Sequence, residues 1–257
     1  MNQAERRAFL IGTLLKERPD AGAIETPRSA DAQRDLLRAL MNVRMPQPVA
    51  PEVLRIQDAY LQERLVERGG ATKAATLSFR DRIAIWRGDI TLLEADAIVN
   101  AANSQMLGCF VPGHRCIDNA IHTYAGMQLR LVCDKLMHEQ GHEEETARVK
   151  VPQAFNLPSR YIFHTVGPIV PSHRPGPREE LLLRRCYTSC LEAATERRLG
   201  TLAFCCISTG VFGYPQEAAA RVAVDAVRQH LDHVDPDLKV VFNVFLASDE
   251  SIYQKLL

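Results

Sequence analysis

Near residue 80 the hydrophobic pattern of this chain changes period, and that change restricts the folds open to it. Upstream, apolar residues recur at helical spacing. Downstream, short apolar runs alternate with amphipathic stretches of about 15 to 20 residues. Strands are expected at Ile83–Trp86, Ala97–Val99, Val149–Val151, Tyr161–His164, Leu202–Ile207 and Val240–Leu246, and helices over 117–138, 178–198, 215–232 and 249–257. Apolar strands separated by amphipathic helices imply a three-layer α/β/α arrangement, with helices on both faces of the sheet. Ligands of such sheets bind where strands end at their carboxyl side. The strand-exit loops are therefore the places to search.

The upstream segment reads as three helical pieces, an N-terminal helical extension over 1–78 ahead of an α/β domain over 79–257. The least regular piece lies around Phe9–Leu15. The next follows Ser29, a suitable N-cap, and carries Leu36, Leu37, Leu40 and Met41 on one stripe. A third opens at Pro51, aligns Val53, Ile56 and Tyr60, and stops at Gly69-Gly70. Segments 17–29 and 43–51 read as connectors. Thirty-one basic residues balance 31 acidic ones, so no global field favours nucleic acid or an anionic membrane. With no apolar run of transmembrane length and no signal-peptide pattern, a cytoplasmic protein is expected. Seven cysteines, most in apolar or helical surroundings, argue for reduced thiols rather than a disulfide framework.

Four loops carry candidate chemistry. Asp89, with Ile90 directly after the first strand, can accept a hydrogen bond from an exocyclic amine or a ribose hydroxyl, or simply cap a helix. Asn100 and Asn103 flank the exit of the second strand, where amides can meet sugar hydroxyls or form turns. Ser208-Thr209-Gly210-Val211-Phe212-Gly213-Tyr214 joins an apolar strand to a helix, and its consecutive amides form a natural diphosphate cradle. Phe212 and Tyr214 could wall a sugar. The remaining loop holds Cys109, His114 and Cys116 within eight residues, with Asp118 just beyond. Three donors match the count of a catalytic zinc, which keeps one position open, whereas structural zinc is closed by four.

Gly88-Asp89-Ile90-Thr91, Val99-Asn100-Ala101-Ala102-Asn103, His164-Thr165-Val166-Gly167-Pro168 and Ile207–Pro215 together resemble the signatures of macrodomains, the ADP-ribose-binding α/β/α modules. The likeness runs in order from about 82 to 257. It is strongest to MacroD-type enzymes, which remove ADP-ribose from proteins, and whose glycine-rich loop continues into a tail similar to Ile117-Asp118-Asn119-Ala120-Ile121-His122. Here a Cys/His loop replaces the glycines. That substitution, with the helical extension, resembles the zinc-dependent branch of the family. The resemblance implies a mixed central sheet, adenine contact by Asp89 and a diphosphate held by 208–214. It also implies a distal ribose positioned by Asn103, a catalytic role for Asp118, and one catalytic zinc on Cys109, His114 and Cys116.

The remaining cysteines and histidines have plainer readings. Cys186 and Cys190 lie on the apolar stripe of a helix, Cys205 and Cys206 in an apolar strand, and Cys133 in a helix; all five are expected in the core. His122 and His164 are expected to satisfy core hydrogen bonds. The resulting expectation is a zinc-dependent hydrolase that frees mono-ADP-ribose from acidic side chains of modified proteins. Its partners would be ADP-ribose and the modified protein. The rival readings are an ADP-ribose reader without activity and a hydrolase of O-acetyl-ADP-ribose.

Overall fold

The computed structural model describes residues 1–19, 22, 24–235 and 237–257; Asp20, Ala21 and Ala23, within the connector expected over 17–29, lie outside the described residues, as does Pro236. Three helices open the chain: α1 (Gln3–Lys16), α2 (Ala30–Val43) and α3 (Pro51–Glu67). Their starts follow local chemistry. Asn2 and Glu5 form a capping box, Ser29 Oγ accepts from Ala32 N–H, and Pro51 occupies a first turn that has no use for its missing N–H. Their apolar stripes (Leu10, Ile11 and Leu14; Leu37, Leu40 and Met41; Tyr60 and Leu61) bury against one another and against Met127. This is a core of its own. The first helix is longer than the 9–15 expected, because the capping box starts it six residues earlier.

Next come β1 (Thr72–Lys73), β2 (Ile83–Arg87), β3 (Leu93–Glu94) and β4 (Ala97–Ala102), with a 3-10 turn over Ile90–Leu92; then α4 (Ile117–Ala125) and α5 (Met127–Gln140). They are followed by β5 (Val149–Lys150), β6 (Tyr161–Val166), α6 (Pro177–Glu196), β7 (Thr201–Phe204), α7 (Gln216–His233), β8 (Lys239–Val244) and α8 (Ala247–Leu256). β1 and β3 form a small parallel ladder of their own. The main sheet runs β2-β8-β7-β4-β6-β5, parallel throughout except for the antiparallel edge strand β5. The sheet is therefore mixed. Its central strands are buried on both faces: Ile98, Val99, Phe163, Phe204 and Val241 are fully inaccessible.

Adjacent residues of β6 show the layering. His164 faces His122 of α4 and Cys133 of α5, while Thr165 faces Cys186 of α6. α6, α7 and α8 thus cover one face. α4 and α5 cover the other, and α2 packs outside α4. The helix expected over 117–138 is two helices, broken at Gly126, whose φ of +97° ends α4. Strand β7 stops at Phe204 and β8 at Val244, earlier than their apolar runs suggested. Among the described residues no helix is long and apolar enough to cross a membrane.

Candidate active site

Because β2, β8, β7, β4 and β6 are parallel, the loops leaving them open on one rim of the sheet. That rim brings together Asp89 after β2, Asn103 and the Cys/His loop after β4, and Ser208–Tyr214 after β7. It also exposes Phe245 and Val211, whose large apolar side chains are 72% and 82% accessible. The strand expected over Val240–Leu246 ends at Val244, so Phe245 follows β8 beside Gly88, whose N–H bonds Val244 O. The signal that could have found it is position: an aromatic at the last strand exit.

Asp118 is the centre of the polar network. It sits in the first turn of α4, 5% accessible. Asn100 Nδ2 donates to Asp118 Oδ1 (2.8 Å) and lies 2.9 Å from His164 Nδ1. Asn103 Nδ2 donates to Asp118 Oδ2 at 3.3 Å and to Gly108 O at 3.1 Å. Burial pushes the Asp118 carboxyl up to about 6, opposed by the Asn100 bond and the charge of Arg130. It still ionises by neutral pH. Burial also drives His164 down to about 3 and His122 well below its ordinary value, so both imidazoles are neutral. His122 Nε2 is 3.6 Å from Asp118 Oδ1, too long for a hydrogen bond, and neither of its ring nitrogens has a hydrogen-bond partner among the described residues.

The loop between β4 and α4 is shaped by one glycine and one cap. Gly108 has φ +81°, and a Cβ there would lie 2.7 Å from the His122 ring. Cys116 is the N-cap of α4, its Sγ accepting from Asn119 N–H at 3.4 Å. Between these points the donor atoms of Cys109, His114 and Cys116 lie within 4.8 Å of one another, and Cys109 Sγ is 3.5 Å from His114 Nδ1. All three side chains are half-buried. Burial pushes the Cys116 thiol up to about 12, with the nearby Asp118 carboxylate adding to it.

At the other expected positions, Asp89 Oδ1 accepts from Thr91 N–H and Oγ1, while Oδ2 meets Arg68 at the end of α3. Asp89 thus caps the 3-10 turn while keeping part of its carboxylate accessible, and Ile90 is buried beneath it. In the 208–214 loop, Tyr214 N–H bonds Ser208 O and Gly213 N–H bonds Gly210 O. The N–H groups of Gly210 and Val211 have no partner among the described residues, as an anion cradle requires. Phe212 is half-buried against Met106 and Val166, whereas the Tyr214 ring is buried in the main core. The five remaining cysteines are free, with Cys206 alone half-buried and the others buried.

The family described as Macro domain matches residues 99–223. A protein-ADP-ribose hydrolase of Treponema medium is 51% identical over 261 residues, covering 100% of both chains. The chain belongs to the macrodomain family. A protein-ADP-ribose hydrolase of Staphylococcus aureus is 44% identical to this macrodomain, covering 97% of this chain and 94% of the relative. Among solved structures, an Oceanobacillus iheyensis macrodomain mutant with ADPR is 39% identical, with a TM-score of 0.62 over 67% of this chain and 90% of that one. A Trypanosoma brucei macrodomain in complex with ADP-ribose is 28% identical, with a TM-score of 0.65 over 85% of this chain and 94% of that one. The rim described above is where a macrodomain of this topology offers its strand-exit loops. The two hydrolase relatives match this macrodomain across the N-terminal helices as well as the α/β layers.

Proposed function

We propose that this protein is a zinc-dependent protein-ADP-ribose hydrolase that removes mono-ADP-ribose from acidic side chains and releases ADP-ribose. One observation carries the reading. The Cys109/His114/Cys116 triad and the Asp118 carboxylate flank a single loop, and Asn103 bonds both its start, at Gly108 O, and Asp118. The relatives named protein-ADP-ribose hydrolase, matched over essentially their whole length, support it.

The donor set suits zinc. Two thiols and an imidazole are borderline-soft ligands, their donor atoms are within 4.8 Å of one another, and three protein donors leave the open position typical of catalytic sites. Zinc held by Cys109, His114 and Cys116 would supply Lewis acidity at the sugar end of the cleft, lowering the pKa of an oxygen brought to it.

The chain's own groups supply the rest. The free amides of the 208–214 loop and the N-terminus of α7 hold the diphosphate, and Asp89 receives the adenine amine. Fixing that half of the ligand orients the distal ribose over Asn103 and Asp118. Water then adds to the anomeric carbon as the bond to the side-chain oxygen breaks. The protein carboxylate leaves with the electron pair, and the water's proton passes to a base. Asp118 is suited to be that base: it is ionised at neutral pH, and Asn100 and Asn103 fix both its oxygens. The oxocarbenium-like transition state gains from a carboxylate placed beside the anomeric carbon.

The test combines metal analysis with a label-release assay on a protein ADP-ribosylated at glutamate or aspartate. The expected result is one zinc per chain, release of ADP-ribose, and loss of both after chelation or in Cys116→Ala. Full release by exhaustively chelated Cys116→Ala would overturn the zinc mechanism. Tight ADP-ribose binding with no release would make the protein a reader.

A further inference from the structure

The Cys/His loop has little structure of its own: within 109–115 its one internal backbone bond is His114 N–H to Val111 O at 3.2 Å. What holds it comes from elsewhere in the chain. Arg38 of α2 donates through Nη2 to His114 O (3.0 Å) and through Nε and Nη2 to Asn119 Oδ1 (3.2 and 2.8 Å). Asn119 Nδ2 in turn donates to Cys109 O and Val111 O, and Asn119 N–H bonds Cys116 Sγ. One guanidinium therefore reaches the backbone or sulfur of all three donors, directly or through Asn119. One turn further along α2, Asn42 Oδ1 accepts from Gly113 N–H at 3.1 Å while its Nδ2 donates to Thr123 Oγ1 at 2.9 Å. At the end of α2, Arg130 of α5 ties Met41 O to Leu107 O and stacks on the Phe110 ring, 4.4 Å from its centroid.

We propose that α2 is a wall of the metal site, with Arg38 and Asn42 as positioning residues that hold Cys109, His114 and Cys116 in a metal-ready arrangement. This inference rests on the zinc reading above and gives the N-terminal helices a task within it. The physical reason is preorganisation. An eight-residue loop without secondary structure must lose conformational entropy to bring three donors to one ion, and bonds already made to α2 remove that cost before the ion arrives. Partners of this outer kind typically affect metal affinity by roughly 10- to 100-fold. α2 can serve as a wall because its other face is seated: Leu37, Leu40 and Met41 are buried in the three-helix core.

The test measures zinc affinity by competition with a chromophoric chelator, together with the visible spectrum of the cobalt(II)-substituted protein. The variants are Arg38→Met, Arg38→Lys and Asn42→Ala. Arg38→Met is expected to bind zinc at least about tenfold more weakly, with altered ligand-field bands, while the metal-free melting temperature stays close to wild type. Arg38→Lys is expected to restore only part of the affinity, since one ammonium cannot span His114 O and Asn119 Oδ1 together. Zinc affinities within twofold of wild type and unchanged cobalt bands in both Arg38 variants would overturn the inference while leaving the zinc reading intact. A wild-type chain that takes up no zinc would overturn both. Should Arg38→Met fail to fold, Arg38→Lys and Asn42→Ala give the same comparison.

Discussion

Two clusters of cysteine and histidine lie on either side of Asp118, built from the same residue types and opposite in character. Cys109, His114 and Cys116 come from one loop and are half-buried; His122, Cys133 and His164 come from α4, α5 and β6 and are fully buried, yet in both the donor atoms lie within 4.8 Å of one another. Proximity of donors therefore does not distinguish a metal site from a core. Environment does. In the inner cluster burial holds both imidazoles neutral and pushes the Cys133 thiol up to about 12. Binding there would mean ionising a thiol in an apolar layer reached through packed helices. Cys116 in the outer cluster is pushed up as far, and the Asp118 carboxylate adds to the shift of both thiols. What separates the two clusters is access: the outer donors are half-buried in a loop at the open rim, where a divalent cation can reach them.

The largest effect expected from this contrast is on catalysis. Cys116→Ala should lose zinc and at least about a hundredfold in hydrolysis, since removing a ligand costs more than the roughly 10- to 100-fold typical of removing a ligand's own partner. Cys133→Ala should keep its zinc and most of its rate, losing about 1 kcal/mol of stability through the small void it leaves. Metal content and single-turnover rates on the two variants decide it. Equal losses of zinc in both would erase the distinction.

The next effect is on acid stability, and its sign follows from the depressed histidine values. His164 is held near 3 in the folded chain against an ordinary value of 6.5. Below pH 6.5 the unfolded chain takes up a proton that the folded chain refuses. Stability is thus fully present above about pH 6.5 and falls as pH drops toward 3, by roughly 1.4 kcal/mol per pH unit for each such histidine. His122 acts in the same direction. Urea midpoints between pH 7.5 and 4.5 should fall for the wild type and fall less steeply for His164→Gln. An unchanged slope would mean that His164 is not held neutral.

The same contrast explains what could be read from the sequence. The outer triad was legible because its donors fall within eight residues, a spacing a reader can see. The inner cluster was not, because β6 brings His164 to α4 and α5 from 42 and 31 residues away, and only burial marks it. Arg38 and Asn42 escaped for the same reason, since they meet the loop across 71 to 81 residues of sequence. The sheet was legible in its central strands, where burial on both faces leaves continuous apolar runs such as Ala97–Val99. It was less so at strand ends: Cys205, Cys206, Phe245 and Leu246 continue the apolar run after the ladder has stopped. The helix break at Gly126 was masked by apolar periodicity that resumes after it. Only the packed structure shows why a glycine is needed there, with Gln57 and Gln128 side chains 2.7 Å from where a Cβ would sit.

The smallest effect expected is also the most discriminating for the inner cluster. His122 has two ring nitrogens without a partner among the described residues, a ring packed against Gly108, and no charge at neutral pH. If the ring serves packing alone, His122→Phe fills the same space and removes two unpaired polar atoms. The change in stability at pH 7.5 should then lie within about 1 kcal/mol of zero, or be favourable, because exchanging unsatisfied polar atoms for apolar ones of similar shape is nearly neutral or better. Zinc content should not change, since in the proposed site His114 supplies the imidazole. A loss of one zinc in His122→Phe, with the fold intact by circular dichroism, would make the inner histidine a ligand and collapse the two clusters into one. Retained zinc with a melting temperature several degrees lower would instead show that an ordered partner satisfies the imidazole, so that burial alone does not account for its neutrality.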